Sequence, residues 1–152
     1  MVFPGVFLFI MKSSKFPVDI LLVEDNPGDV RLIVETFKDM DIPHNLAVAR
    51  DGLEAIQILN NDCKDSTAPK LIILDLNLPK KNGWDVLKEI KKDDKLKPIP
   101  VIILTTSKSN EDIKRSYDNQ ANAYLIKPME LDNFIEVVKS IHDFWLKRAE
   151  LP

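Results

Sequence analysis

Asp75 ends the apolar run Leu71-Ile72-Ile73-Leu74 and is followed by Leu76-Asn77-Leu78-Pro79 and a turn at Asn82-Gly83. Apolar residues without alternation mark a strand buried on both faces, so the carboxylate is delivered to the edge of a parallel sheet. Taken singly, such an aspartate is as often a cap or turn residue. Three other apolar runs also end in reactive groups. Ile20 to Val23 leads to Glu24-Asp25, Val101 to Leu104 leads to Thr105-Thr106, and Ala123 to Ile126 leads to Lys127-Pro128. The carboxyl ends of parallel strands lie on one side of the sheet, where open α/β proteins bind their ligands. Three acids, a hydroxyl and an amine are therefore expected around one crevice.

Carboxylates brought that close repel one another, and a hard divalent cation such as Mg²⁺ relieves the repulsion through oxygen ligands. Glu24, Asp25 and Asp75, with the main-chain carbonyl of Asn77, supply a partial oxygen set that a phosphoryl oxygen would complete. A carboxylate can attack phosphorus to form an acyl phosphate. Such a transfer depends on positioning and on charge placed against the equatorial oxygens, which the metal and the point charge of Lys127 provide. The Thr105 hydroxyl can bond to the attached group, and its inward movement would leave a gap for Tyr124. An isolated acidic pair, threonine or lysine would be a cap, a strand residue or surface charge; their joint occurrence at four strand ends carries the reading.

The elements that must place these groups alternate throughout. A first strand near Asp19 to Val23 precedes Asn26, a helix N-cap, and Pro27, a first helical residue. Val30, Ile33, Val34 and Phe37 then recur at helical spacing. Leu46 to Ala49 is a short strand, and Asp51-Gly52 opens a second helix with Leu53, Ile56 and Leu59 expected inward. A third helix from Gly83 to Lys92 carries Val86, Leu87 and Ile90. A fourth, Asn110 to Asn119, has only Ile113 and Tyr117 as an inward pair and should be weakly anchored. The last places Leu131, Phe134, Val138, Ile141 and Trp145 on one stripe. Five strands alternating with five helices predict an α/β, doubly wound, five-stranded parallel sheet.

The 152 residues suit one domain, and a net charge of -3 gives no reason to expect nucleic-acid binding. The single Cys63 cannot close an internal disulfide, which favours a reducing, cytoplasmic setting. Residues 1–15 read as an N-terminal extension. The apolar stretch Met1 to Met11 is too short to span a bilayer and lacks the marks of a secretory signal. Three readings stand: a start upstream of a native one at Met11, which is preferred, an ordered flap, or a weak membrane anchor.

The series Glu24-Asp25, Asp75 with Asn77, Pro79 and Gly83, Thr105-Thr106, then Tyr124 with Lys127-Pro128, resembles the receiver domain of two-component response regulators over Val18 to Lys147. The resemblance implies a flavodoxin-like strand order 2-1-3-4-5 in residues 16–152, with no output domain. It also implies Asp75 as phosphoacceptor, Glu24 and Asp25 as Mg²⁺ ligands, Thr105 and Tyr124 as a switch pair, and a cis Lys127-Pro128 bond. Two positions depart from the common pattern, Leu78 for methionine and Glu24 for aspartate. The stretches Leu74 to Gly83, Leu104 to Ser107 and Phe144 to Leu146 are similar to small single-domain regulators that partner phytochrome-type histidine kinases.

On that resemblance the chain takes a phosphoryl group from a histidine kinase and passes the signal to a downstream protein target or a phosphotransfer protein. Its expected surface is the fourth helix, fifth strand and fifth helix, which also offers a homodimer contact. The main rival is a receiver-like adaptor that is never phosphorylated. An aspartate-nucleophile phosphatase would need an acid where Asn77 stands, and a flavodoxin would need a phosphate loop where Glu24-Asp25-Asn26 lies.

Overall fold

The computed structural model describes residues 2–3, 6–10, 18–40, 45–61 and 68–151. Cys63 and Met11 lie outside these residues. In chain order the elements are β1 (Val2–Phe3), β2 (Val6–Ile10), β3 (Ile20–Val23), α1 (Pro27–Lys38), β4 (Asn45–Ala49), α2 (Gly52–Asn61) and β5 (Leu71–Leu74). They continue with α3 (Gly83–Lys92), β6 (Val101–Thr105), α4 (Asn110–Asp118), β7 (Ala123–Ile126) and α5 (Leu131–Ile141), then a π-helical continuation, His142–Arg148. The sheet order is β1-β2-β4-β3-β5-β6-β7. Its five parallel strands, β4-β3-β5-β6-β7, have the expected order 2-1-3-4-5. Beyond that expectation, β2 pairs antiparallel with β4, from Val6 opposite Ala49 to Ile10 opposite Asn45, and β1 pairs with β2.

Alternation of side chains across the pleat divides each central strand between two cores. Leu21, Val23, Ile72, Leu74, Val101 and Ile103 pack with Ala55, Ile58 and Leu59 of α2 and Val86, Leu87 and Ile90 of α3. Ile20, Leu22, Leu71, Ile73, Ile102 and Leu104 pack on the opposite face with Ile33, Val34 and Phe37 of α1 and Phe134, Val138 and Ile141 of α5. Burying each of these aliphatic side chains contributes about 1.5–3 kcal/mol before conformational entropy is set against it. That rigid double layer fixes the strand ends.

Four helical or strand faces differ from the sequence reading. In α2, Leu53 is exposed and Ile56 half-buried, because Ala55, Ile58 and Leu59 form the inward stripe. In α4, Ser116 is the buried residue, its hydroxyl donating to Asp112 O at 2.9 Å, while Tyr117 is exposed. Leu131 is also exposed. The strand β7 is only half-buried, as an edge strand must be.

Helix starts follow the sequence closely. Asn26 accepts from Asp29 N at 3.0 Å and Asn82 from Asp85 N at 3.0 Å, with Pro27 opening α1. Asp51 and Glu54 form a reciprocal cap at α2: Glu54 N donates to Asp51 Oδ1 at 2.8 Å and Arg50 N to Glu54 Oε1 at 3.1 Å.

Candidate functional site

Main-chain bonds just past the strand ends carry the ladder into the site. Glu24 N donates to Ala49 O (2.9 Å), Asp75 N to Val23 O (3.0 Å) and Lys127 N to Thr105 O (2.7 Å). Glu24, Asp75, Thr105 and Lys127 are thereby held at one edge, and all four are buried. Gly83 closes the β5–α3 loop against this edge. Its amide donates to Leu76 O at 3.0 Å, and a Cβ at that position would lie 2.4 Å from Asp75 O.

The side chains converge as the sequence implied. Lys127 Nζ donates to Glu24 Oε1, to Asp29 Oδ2 at 2.9 Å and to Asp75 Oδ2 at 3.2 Å. Carboxylate oxygens of Glu24, Asp25 and Asp75 lie within 4.8 Å of one another, with Asp25 exposed. Three carboxylates therefore contact one ammonium, Asp25 adds a fourth beside Glu24 and Asp75, and the surplus negative charge fits a divalent cation. Burial, and after it the charge of Asp75, pushes the Glu24 carboxyl from 4.5 up to about 8. Burial alone would lower the Lys127 ammonium, but bonding to Glu24 and the charges of Glu24 and Asp75 hold it above the ordinary lysine range. Asn77 is exposed, its amide 3.4 Å from Asp75 Oδ1.

Thr105 is fully buried, and its hydroxyl has no hydrogen-bond partner among the described residues. An unpaired buried hydroxyl costs about 1–3 kcal/mol and marks a group kept for a ligand or a second state. Tyr124 is half-buried; its hydroxyl donates to Ser107 O at 3.0 Å and its amide to the Tyr117 hydroxyl at 3.1 Å. The loop between β6 and α4 and the last turn of α4 are thus both tied to Tyr124. Ser107 Oγ in turn donates to Asp112 Oδ2 at 2.6 Å.

The expected cis bond between Lys127 and Pro128 is not found: no peptide among the described residues is cis. The tertiary amide separates the two isomers by only about 0.5–1 kcal/mol, so the dipeptide does not decide between them. Asp29, which the sequence reading did not include, joins the ion pairs of Lys127. Its position on the first turn of a helix capped by Asn26, four residues after Asp25, was the available signal.

The profile of the family described as Response regulator receiver domain matches residues 20–139. This chain belongs to that family. The receiver is 46% identical to response regulator Rcp1 of Synechocystis sp. over 142 residues, 92% of this chain and 97% of Rcp1. It is 39% identical to the probable methanogenesis regulatory protein FilR2 of Methanothrix harundinacea, covering 88% and 87% of the two chains. Among solved structures, the phosphorylated cyanobacterial phytochrome response regulator RcpA superposes with a TM-score of 0.84 at 46% identity, covering 90% of this receiver and 99% of RcpA. The Mn²⁺-bound form of Rcp1 superposes with a TM-score of 0.82 at 44% identity, over 90% and 99% of the two chains. The acidic trio of this receiver suits the same class of hard divalent cation.

Proposed function

We propose that this receiver accepts a phosphoryl group on Asp75 from the phosphohistidine of a histidine kinase, and signals by a change at the surface of α4, β7 and α5. The observation that carries the proposal is the contact of Lys127 Nζ with both Asp75 and Glu24 at the sheet edge. In the transfer, an Asp75 carboxylate oxygen forms the bond to phosphorus while the phosphorus–nitrogen bond breaks. The electron pair returns to the imidazole of the donor, which takes up a proton from water. Lys127 sets its charge against the phosphoryl oxygens, and Thr105 donates its unpaired hydroxyl to one of them. A Mg²⁺ ion would be held by Glu24, Asp25, Asp75 and the Asn77 carbonyl, and would supply further charge for the same oxygens. Later attack by water on phosphorus breaks the bond to Asp75 and releases inorganic phosphate, so the receiver assists both its loading and its clearance.

Signalling follows from the bonds of Thr105 and Tyr124. As the Thr105 hydroxyl is drawn to the phosphoryl group, Tyr124 moves toward the space left and its bond to Ser107 O is exchanged, releasing the start of α4. The likeness to Rcp1 and RcpA supports a phytochrome-type kinase as donor, and the single Cys63 favours a cytoplasmic setting. Output goes to a protein target, to a phosphotransfer protein or to a second copy docked on the α4, β7 and α5 face.

The test is labelling with acetyl phosphate. Label should enter only with Mg²⁺ and vanish in Asp75→Asn while the circular dichroism spectrum is kept. Label retained by that variant would move the acceptor elsewhere.

A further inference from the structure

An ammonium has three N–H donors, and three carboxylates lie within ion-pair reach of Lys127 among the described residues: Glu24, Asp29 and Asp75. They are not equivalent. Glu24 and Asp75 belong to the converging trio with Asp25, and Asp29 does not. The Glu24 and Asp75 side chains are 2% and 8% exposed, whereas that of Asp29 is 26% exposed. Asp29 also lines a cavity of about 300 Å³ that continues past Lys127 to Pro128, Met129 and Leu131. Its backbone is fixed, because its amide donates to the Asn26 cap at 3.0 Å.

When a divalent cation engages Glu24 and a phosphoryl group is carried by Asp75, two of the three anions on Lys127 acquire other partners. Asp29 has no such alternative and keeps its claim on the ammonium. We propose that Asp29 is a positioning residue that competes with the phosphoryl group for Lys127, and so limits how tightly an anion is held at Asp75. The inference rests on the phosphoacceptor reading above. It gives this receiver a control on phosphoryl retention that acts through one lysine, from a residue outside the cation site.

Beryllofluoride binding at saturating Mg²⁺, followed by calorimetry, tests it. Asp29→Asn keeps the shape and the capped amide and removes the charge. It should raise beryllofluoride affinity by at least about threefold, the low end for side chains in contact. In a Lys127→Met background the same substitution should change affinity by less than about half that factor. An equal gain in both backgrounds would show that Asp29 acts as a general repelling charge and not through Lys127. No gain in either would equally overturn the proposal. Because binding is read at equilibrium, slow phosphorylation of the lysine variant does not obscure the result. If Asp75→Asn binds beryllofluoride as well as the parent chain, the phosphoacceptor reading fails instead.

Discussion

Two residues state the physical problem of the site most sharply. Thr105 keeps a hydroxyl buried without a partner among the described residues, and Glu24 keeps a carboxyl where burial opposes its charge. Thr105→Val removes the unpaired group at nearly constant shape, so thermal unfolding should shift upward, by the equivalent of about 1 kcal/mol, while beryllofluoride binding weakens. A lower melting temperature would mean that the hydroxyl is satisfied in the free protein. For Glu24, the folded-state value of about 8 lies above the ordinary 4.5. The neutral form is therefore the one that folding favours. Its contribution to stability is complete below about pH 4.5 and lost as the pH rises through about 8. Urea unfolding in EDTA should show that loss relative to Glu24→Gln, and Mg²⁺ should restore stability most strongly at the alkaline end. The four strand-end groups were legible in the sequence because buried apolar runs announce where a parallel sheet delivers its next residue. Asp29 was not, since its role depends on how the first turn of α1 faces Lys127. The isomer of the Lys127-Pro128 bond was not either, because it is decided by a small energy difference.

At the scale of elements, one loop of the site leaves no spare volume. The β5–α3 loop brings Gly83 so near the Asp75 carbonyl that a methyl group has no room. Gly83→Ala should push that loop off the sheet edge, slow labelling of Asp75 by roughly tenfold or more and cost about 1–3 kcal/mol. Rates and denaturation equal to the parent would show that the loop yields freely. The strong apolar stripe of α3 could be read from spacing alone, as could that of α5 from Phe134 onward. Mixed stripes could not: in α2 the small Ala55 sits inward and Leu53 faces out, and in α4 Ser116 is buried by bonding to its own helix. Helix α4 is correspondingly held by polar ties at Ser107, Tyr117 and Tyr124 and by Arg115 stacked over Trp84 at 4.3 Å. These bonds can be exchanged without unpacking a core.

Across the whole molecule, alternation of strands and helices made the doubly wound sheet legible, and the order of the five parallel strands follows the family resemblance. The two antiparallel strands beside β4 were not expected, because an apolar stretch without turn periodicity fits a strand, a buried helix or an anchor equally well. At the other end of the chain, Phe144 is exposed and meets Trp145 edge to face at 5.1 Å between ring centroids. If this end contributes to a second-copy contact, beryllofluoride should raise the mass seen by analytical ultracentrifugation, and Phe144→Ala should lower association by about tenfold or more. A mass unchanged by beryllofluoride would assign output to other partners.

Separate strand ends bring Glu24, Thr105 and Lys127 to the Asp75 carboxylate, the proposed acceptor. That role is tested most directly by loading the protein with acetyl phosphate and Mg²⁺, reducing the acyl phosphate with borohydride, and mapping the product by peptide mass spectrometry. Homoserine should form at position 75 alone, and should be lost when Mg²⁺ is withheld. Reduction at Glu24, Asp25 or Asp29, or none at any carboxylate under saturating donor, would contradict that role.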